Sequence, residues 1–346
     1  MGRKPTKNFN LPPRMRARMH RSGHVYYYYD TCKKPRKEIP LGSDYILALR
    51  QYAELEINVI DLSNEIFFPE VMNRYKIEVI ATKALSTQAT NLSDVKVLER
   101  FFSDPPAPLE KIEPHHIAEF LRRNEAYPTT ANRCKRLFSH IWNKAREWGY
   151  TNLPNPTMGI RGYSLGKRDV YIDDELFTLV KSYGLPPLQE AMDLMYLTGQ
   201  RPGDVMKLTE HHIQDGELIL RQSKTKTALR IVISAALFDV FARIRSRKTT
   251  HKIVSTNLLV TLQGKPMTKG SLKYYFDSAR EKAAKAHPEF KDQLKAFWLY
   301  DLRAKAADDM SAEKGDQAAA DLLGHIDVRT TKRHYLRRGK KVAPTR

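Results

Sequence analysis

The sequence predicts a multidomain chain, mainly α-helical with small β elements, and three observations carry that prediction. The 346 residues are enough for two or three domains, each with its own core. Apolar residues recur at helical spacing through most of the chain, as in Leu92, Val95, Leu98, Phe101 and Phe102, or Cys134, Leu137, Phe138, Ile141, Ala145 and Trp148. Strand composition is confined to residues 25–41 and 217–233. The division expected is 1–62, a basic tail with a small sheet and a helix; 63–162, an all-helical domain; and 163–346, an α+β domain with a C-terminal tail.

Residues 1–22 are basic and contain prolines, which reads as a flexible arm. Residues 25–29 and 36–41 read as strands about a turn at 30–35. Tyr26 and Tyr28 then face one way and Tyr27 and Tyr29 the other, so that one pair enters a core. Ser43 or Asp44 caps a helix running to about Ile57. Further helices are expected over 86–103, from Pro114, and over 129–148 with Gly149 as its stop. Residues 152–156 and 159–168 read as a linker. Beyond it, Asp173 starts a helix, 188–197 forms another, and strands 217–222 and 229–233 flank a lysine-rich turn. The remainder reads as helices near 235–247, 268–286, 295–310, 315–323 and 327–336.

The charge balance narrows the function. Against 39 Asp+Glu stand 59 Lys+Arg, a net charge of +20. Such an excess serves association with a polyanion, nucleic acid first and an anionic membrane surface second. No apolar run approaches the roughly 18 residues of a membrane span, and no apolar segment follows the basic N-terminus to make a secretory signal. Met1-Gly2-Arg3-Lys4-Pro5-Thr6 fits the loose myristoylation pattern, which is too short to carry an assignment. Two distant cysteines, Cys32 and Cys134, point to a reducing, cytoplasmic compartment. The pairs His115-His116 and His211-His212 project about 100° apart on a helix and make poor joint ligands, so no metal and no other cofactor is expected. The first 50 residues hold twelve Lys or Arg and three acids, so Arg14, Arg16 and Arg18 are candidates for contacting double-stranded DNA. Arg133 and Arg136 are candidates on the 129–148 helix, whose polar face also carries Lys135, Lys144 and Arg146.

Chemistry concentrates near the C-terminus. From Arg329 to Arg346 there are eight Lys or Arg and no acid, and Tyr335 lies among them, ten residues after His325. A tyrosine in such surroundings can attack a phosphodiester. Its hydroxyl is a weak nucleophile and needs electrostatic help. Arg201, in the bend Thr198-Gly199-Gln200-Arg201-Pro202-Gly203-Asp204, and Arg303, in Tyr300-Asp301-Leu302-Arg303, can meet the non-bridging oxygens with paired N–H groups. Asp204 can orient Arg201. Lys224 at the hairpin tip can protonate the leaving oxygen, with Lys226 as its rival two residues on. His325 can donate to the phosphate or accept the tyrosine proton. Singly, each is more often a cap, an ion pair, a solvated lysine or a turn; the weight rests on the set.

That set resembles the tyrosine recombinases, the phage integrases in particular, over roughly residues 60–346. The matching boxes are Thr198-Gly199-x-Arg201-x-x-Asp204, hairpin Lys224, Asp301-Leu302-Arg303, Leu322-Leu323-Gly324-His325 and Tyr335. The basic, Tyr-rich N-terminal module resembles the arm-type DNA-binding module of lambda-type integrases. The resemblance implies a helical core-binding domain at 63–162 and a catalytic domain at 163–346. It implies that Arg201 and Arg303 bind the scissile phosphate, Lys224 is the general acid, His325 assists and Tyr335 forms a 3′-phosphotyrosine. It further implies a homotetramer on paired DNA sites, a directionality factor or host DNA-bending protein as partner, no membrane, and integration or excision of a mobile element in a bacterial cell. The alternatives are a Xer-like or topoisomerase-like resolution enzyme, or a catalytically weakened DNA-binding relative. Two departures stand out. Tyr300 occupies the place usually held by His, and the His325–Tyr335 spacing is one residue longer than the common one, which puts His334 in competition for the inward position. The tail from Arg337 is expected to pack on a neighbouring subunit.

Overall fold

The computed structural model describes residues 11–32, 37–59, 65–339 and 344–345. The chain divides into two compact units, Met1–Leu165 and Gly166–Arg346. Among the described residues, no helix is long and apolar enough to cross a membrane.

The first unit opens on an antiparallel sheet, β1 (Met15–Met19), β2 (Val25–Asp30) and β3 (Glu38–Gly42), in that order. β1 lies within the stretch expected as a flexible arm, and this is corrected here. The reason is alternation: Arg16 and Arg18 pair with Tyr28 and Tyr26, while Met15 and Ala17 pair with Tyr29 and Tyr27. Met15, Tyr29 and Leu41 are buried with Ala48 of α1 (Tyr45–Val59), and Tyr27 packs on this cluster. The Asp44 carboxylate accepts from the backbone N–H groups of Ile46 and Leu47 and caps α1. The turn expected at 30–35 falls partly, and the boundary expected at 62 wholly, outside the described residues.

The helical part contains α2 (Phe68–Glu78), α3 (Leu85–Phe102), α4 (Pro114–Arg123) and α5 (Pro128–Glu147). Phe68, Phe102, Phe138 and Trp142 pack together in its core with Cys134. Arg133 of α5 grips the fully buried Asp94 carboxylate through Nε and Nη2 at 2.6 Å, which ties α5 to α3. The segment expected as a linker is itself packed. Asn155 donates to Ser139 and Asn143, and the Tyr163 hydroxyl donates to the Leu121 carbonyl.

In the second unit, α6 (Asp174–Ser182) is capped by Asp173, and α7 (Pro186–Thr198) runs through the core. Next come α8 (Pro202–Val205) and the sheet β4 (Ile213–Gln214), β5 (Glu217–Arg221) and β6 (Ala228–Val232), with β5 in the middle. The helices α9 (Ala235–Thr250), α10 (Lys269–Ala286), α11 (Lys291–Ala296), α12 (Asp301–Lys314), α13 (Asp316–Leu323) and α14 (Val328–His334) complete it. The helix expected over 295–310 is broken. Phe297 is extended and fully buried, and the Asp301 carboxylate accepts from the Trp298 backbone N–H at 2.8 Å, so α12 begins afresh at Asp301. The break leaves Tyr300 in the turn just before α12, with its side chain partly exposed.

Candidate active site

Two glycines make the framework possible. Gly199 ends α7 at φ 63°, and Gly324 ends α13 at φ 65°, backbone conformations that side chains rarely adopt. A Cβ on Gly324 would lie 2.9 Å from Gln222 Nε2. The two turns aim their freed carbonyls at one guanidinium: Arg303 Nη1 donates to Gly199 O at 2.6 Å and Nη2 to Leu323 O at 2.7 Å. Arg303 projects from the first turn of α12 and is fully buried, and no protein group described satisfies its Nε.

Arg201 stands at the N-terminus of α8, where Pro202 suits the first helical turn. Its Nη1 donates to Gln222 Oε1 at 3.1 Å. Asp204 lies 3.9 Å from Arg201, too far for a hydrogen bond. Its other oxygen accepts from the Ser223 backbone N–H at 2.9 Å. Asp204 therefore secures the base of the hairpin more than it orients Arg201. The orienting residue is Gln222, which sequence reasoning missed. Its amide donates to Gln200 Oε1 at 2.7 Å and to Leu323 O at 2.9 Å. A buried glutamine at a strand end has no signature in sequence, since its partners lie 22 and 101 residues away.

His325 follows Gly324. Its Nε2 is 3.2 Å from Arg303 Nη2 and its Nδ1 is 2.9 Å from Thr331 Oγ1. A guanidinium only donates, so Nε2 accepts, and the ring proton sits on Nδ1 and is given to Thr331. Burial and the charges of Arg303, Arg201 and His334 push the His325 pKa down to about 4, so the ring is neutral near pH 7.

Tyr335 faces inward and His334 is exposed, so the extra residue does not reverse the facing. α14 ends at His334, and Tyr335 leaves helical geometry at φ −122°, which absorbs the additional residue. The Tyr335 ring lies 5.0 Å from the His325 ring, and the Arg303 guanidinium is 5.3 Å from its centroid. Its hydroxyl is 2.5 Å from that of Tyr300. Burial alone would raise the Tyr335 pKa; the Tyr300 hydrogen bond and the charges of Arg303 and Arg201 outweigh it and bring the phenol below its ordinary value. Tyr300 moves up, through burial and the neighbouring phenol.

Arg201, Arg303, His325, Tyr300 and Tyr335 are thus joined through direct contacts and Gln222. Lys224 and Lys226 are exposed on the hairpin turn. Among the described residues, neither side chain is hydrogen-bonded to that group. Lys226 adopts φ 61°, and its backbone N–H donates to Gln222 O, so the turn geometry engages Lys226 and leaves Lys224 at the tip. The Arg337 side chain is 5% exposed, and its Nη1 donates to Asp301 Oδ1 and Val170 O, both at 2.7 Å. The Asp308 carboxylate accepts from the backbone N–H groups of Arg337 and Arg338. The start of the tail therefore docks on its own chain; residues 340–343 and 346 lie outside the described residues. Arg168 Nε also donates to Asp301 Oδ1, at 2.8 Å.

The buried Arg303 and the part-buried Arg201 thus stand about a tyrosine of lowered pKa, on a helical unit with a small antiparallel sheet, as a tyrosine recombinase requires. Residues 182–341, which contain all of these groups, match the phage integrase family. Over the whole length the chain is 25% identical to the integrase of Escherichia phage lambda, covering 94% of each chain, and 26% identical to that of Enterobacteria phage 434, again covering 94% of each. The fold matches that of a lambda integrase dimer bound to a COC′ core site, with a TM-score of 0.68 and 21% identity over 98% of this chain and 99% of the other. The family match, the relatives and the fold together support a phage site-specific tyrosine recombinase of the lambda integrase type.

Proposed function

We propose that the enzyme cuts and rejoins duplex DNA through a 3′-phosphotyrosine at Tyr335. The single observation that carries this is the gathering of Arg303, His325 and Tyr335 at one point, with Arg201 linked to it through Gln222. Arg201 and Arg303 hold the non-bridging oxygens with the N–H groups left over by their protein contacts, Arg303 Nε among them. The Tyr335 oxygen attacks phosphorus. The 5′-bridging oxygen leaves with a proton from Lys224, which the exposed hairpin tip can deliver, with Lys226 as the rival donor. Neutral His325 accepts from Arg303 and helps to fix its guanidinium. The phosphotyrosine retains the bond energy of the phosphodiester, so rejoining a second strand needs no ATP.

The division proposed is an N-terminal DNA-binding module to residue 62, a helical core-binding domain over 63–162 and a catalytic domain over 163–346. Solved structures of lambda integrase include a dimer on a core site and a tetramer on a Holliday junction, and the present chain is proposed to act as a tetramer on paired sites. A directionality factor or host DNA-bending protein is proposed as an accessory. In the free protein Arg16 pairs with Asp30 at 2.7 Å and Arg18 with Glu38 at 2.7 Å, and Arg14 donates to the Tyr29 hydroxyl. Their use on phosphate requires exchange of these partners. Arg133 is engaged by Asp94, whereas Arg136 is exposed.

Binding to duplex DNA is expected to be steeply salt-dependent, with log K falling against log salt by roughly 0.9 per neutralised phosphate. Fluorescence anisotropy across a salt series measures the slope. A slope near zero contradicts the DNA reading. The outcome of the reaction is tested by incubating two duplexes that span the junctions of the mobile element. Exchanged products support recombination, and relaxation of supercoils without exchange supports the topoisomerase-like reading.

A further inference from the structure

We propose that Tyr300 is the fixed hydrogen-bond donor to the nucleophilic oxygen, acting on Tyr335 itself to hold it as a ready phenolate. The inference rests on the reading of Tyr335 as nucleophile and adds a role to a second phenol beside it.

The geometry comes first. The two hydroxyl oxygens are 2.5 Å apart. That separation lies in the range of O–H···O⁻ contacts and below the usual distance between neutral hydroxyls. Only one proton fits between the two oxygens, and the surroundings decide which oxygen keeps it. Tyr335 is 7% exposed, with the Arg303 guanidinium 5.3 Å from its ring and His325 beside it. Tyr300 is 39% exposed. The charged groups facing the pair are Arg303 from α12 and Arg201 from the bend before α8; His325 faces it as a neutral ring, with His334 behind. Burial opposes charge on Tyr335, but Arg303 against its ring and the charge of Arg201 outweigh it, so negative charge settles on Tyr335 and the proton remains on Tyr300. The opposite directions of the two pKa shifts agree with that assignment.

Anchoring comes second. Tyr300 directly precedes Asp301, and Tyr335 stands two residues before Arg337. Arg337 and Arg168 both donate to Asp301. The carboxylate next to Tyr300 in sequence thus grips the side chain two residues beyond Tyr335, which ties together the segments that carry the two phenols.

Tyr335 releases its proton to solvent, and Tyr300 donates a hydrogen bond to the phenolate without giving up its own proton. When the oxygen forms its bond to phosphorus, the 5′-oxygen leaves with the proton from the general acid. In the rejoining direction the departing phenolate receives the same hydrogen bond from Tyr300.

The test is Tyr300→Phe in the full chain, which removes one hydroxyl and keeps the ring. With 13Cζ-tyrosine labelling, the Tyr335 resonance is identified by its loss in Tyr335→Phe, and its titration is followed by NMR without DNA. The expected result is an upward shift of Tyr335 by roughly one to two pH units, the size of one charge-assisted hydrogen bond. The second readout is the pH profile of adduct formation on a nicked duplex spanning an element–host junction, with a 5′-bridging phosphorothiolate whose sulfur leaves without a general acid. Tyr300→Phe is expected to be slowed about tenfold to hundredfold at pH 7 and to recover at alkaline pH. An unchanged Tyr335 titration, or a profile lowered uniformly with the same inflection, overturns the proposal. Absence of adduct from wild type would instead count against Tyr335 as nucleophile, and the NMR titration would still decide the role of Tyr300.

Discussion

Replacing Arg303 with lysine is expected to slow covalent adduct formation by at least about a hundredfold, the effect of removing one preorganised donor of about 3 kcal/mol from a developing negative charge. The guanidinium has three tasks at once. It donates to the carbonyls of Gly199 and Leu323, it donates to His325, and it lies against the Tyr335 ring. A single ammonium cannot reach these places together, because its donors radiate from one atom. Burial and the like charge of Arg201 lower the Arg303 pKa from its ordinary value, yet a guanidinium remains charged at neutral pH. Duplex affinity should change little, because most of the binding energy comes from other phosphate contacts. Single-turnover adduct formation and anisotropy binding, measured on the same preparation, separate the two. A rate equal to wild type would remove Arg303 from the site.

The second large effect is on stability. Asp301→Ala is expected to destabilise the second unit by about 3 kcal/mol, the lower end of what is lost when one partner of a buried ion network is deleted. The lower end applies because Arg168 is partly exposed, at 27% for its side chain, whereas Arg337 is enclosed at 5%. The change also removes the acceptor for the Trp298 backbone N–H. Urea unfolding measures it through the midpoint at constant m. Because Asp301 ties the segments bearing Tyr300 and Tyr335, the fraction that stays folded should also form adduct slowly. An unchanged midpoint would show that Arg168 and Arg337 find other partners.

Several elements were legible from local pattern. The apolar spacing in 129–148 marks α5 to within a residue at each end, and the lysine-rich turn between two short strands marks the β5–β6 hairpin. Arg201, Arg303, His325 and Tyr335 were readable because their residue types lie next to glycines and helix ends that recur as short boxes. Features held by distant partners were hidden. β1 reads as part of a flexible basic arm because its arginines mask an alternation that only the tyrosine strand completes. The break before α12 depends on the burial of Phe297 and on an Asp301 side chain that caps backward, while apolar periodicity runs on across it. Gln222 carries no charge or motif, and its role arises where β5, α7 and α13 end together. Arg337 sits in a run of cations that reads as solvated, and only its 36-residue separation from Asp301, closed by the fold, gives it a buried partner.

The most direct measurement is covalent capture. The full chain is incubated with a nicked suicide duplex spanning the element–host junction, and the protein–DNA adduct is resolved under denaturing conditions and digested to locate the modified residue. The account predicts an adduct on Tyr335, joined to the DNA 3′ end, that is lost in Tyr335→Phe while that variant still binds the duplex. An adduct undiminished in Tyr335→Phe, or attached to any residue outside this site, contradicts it.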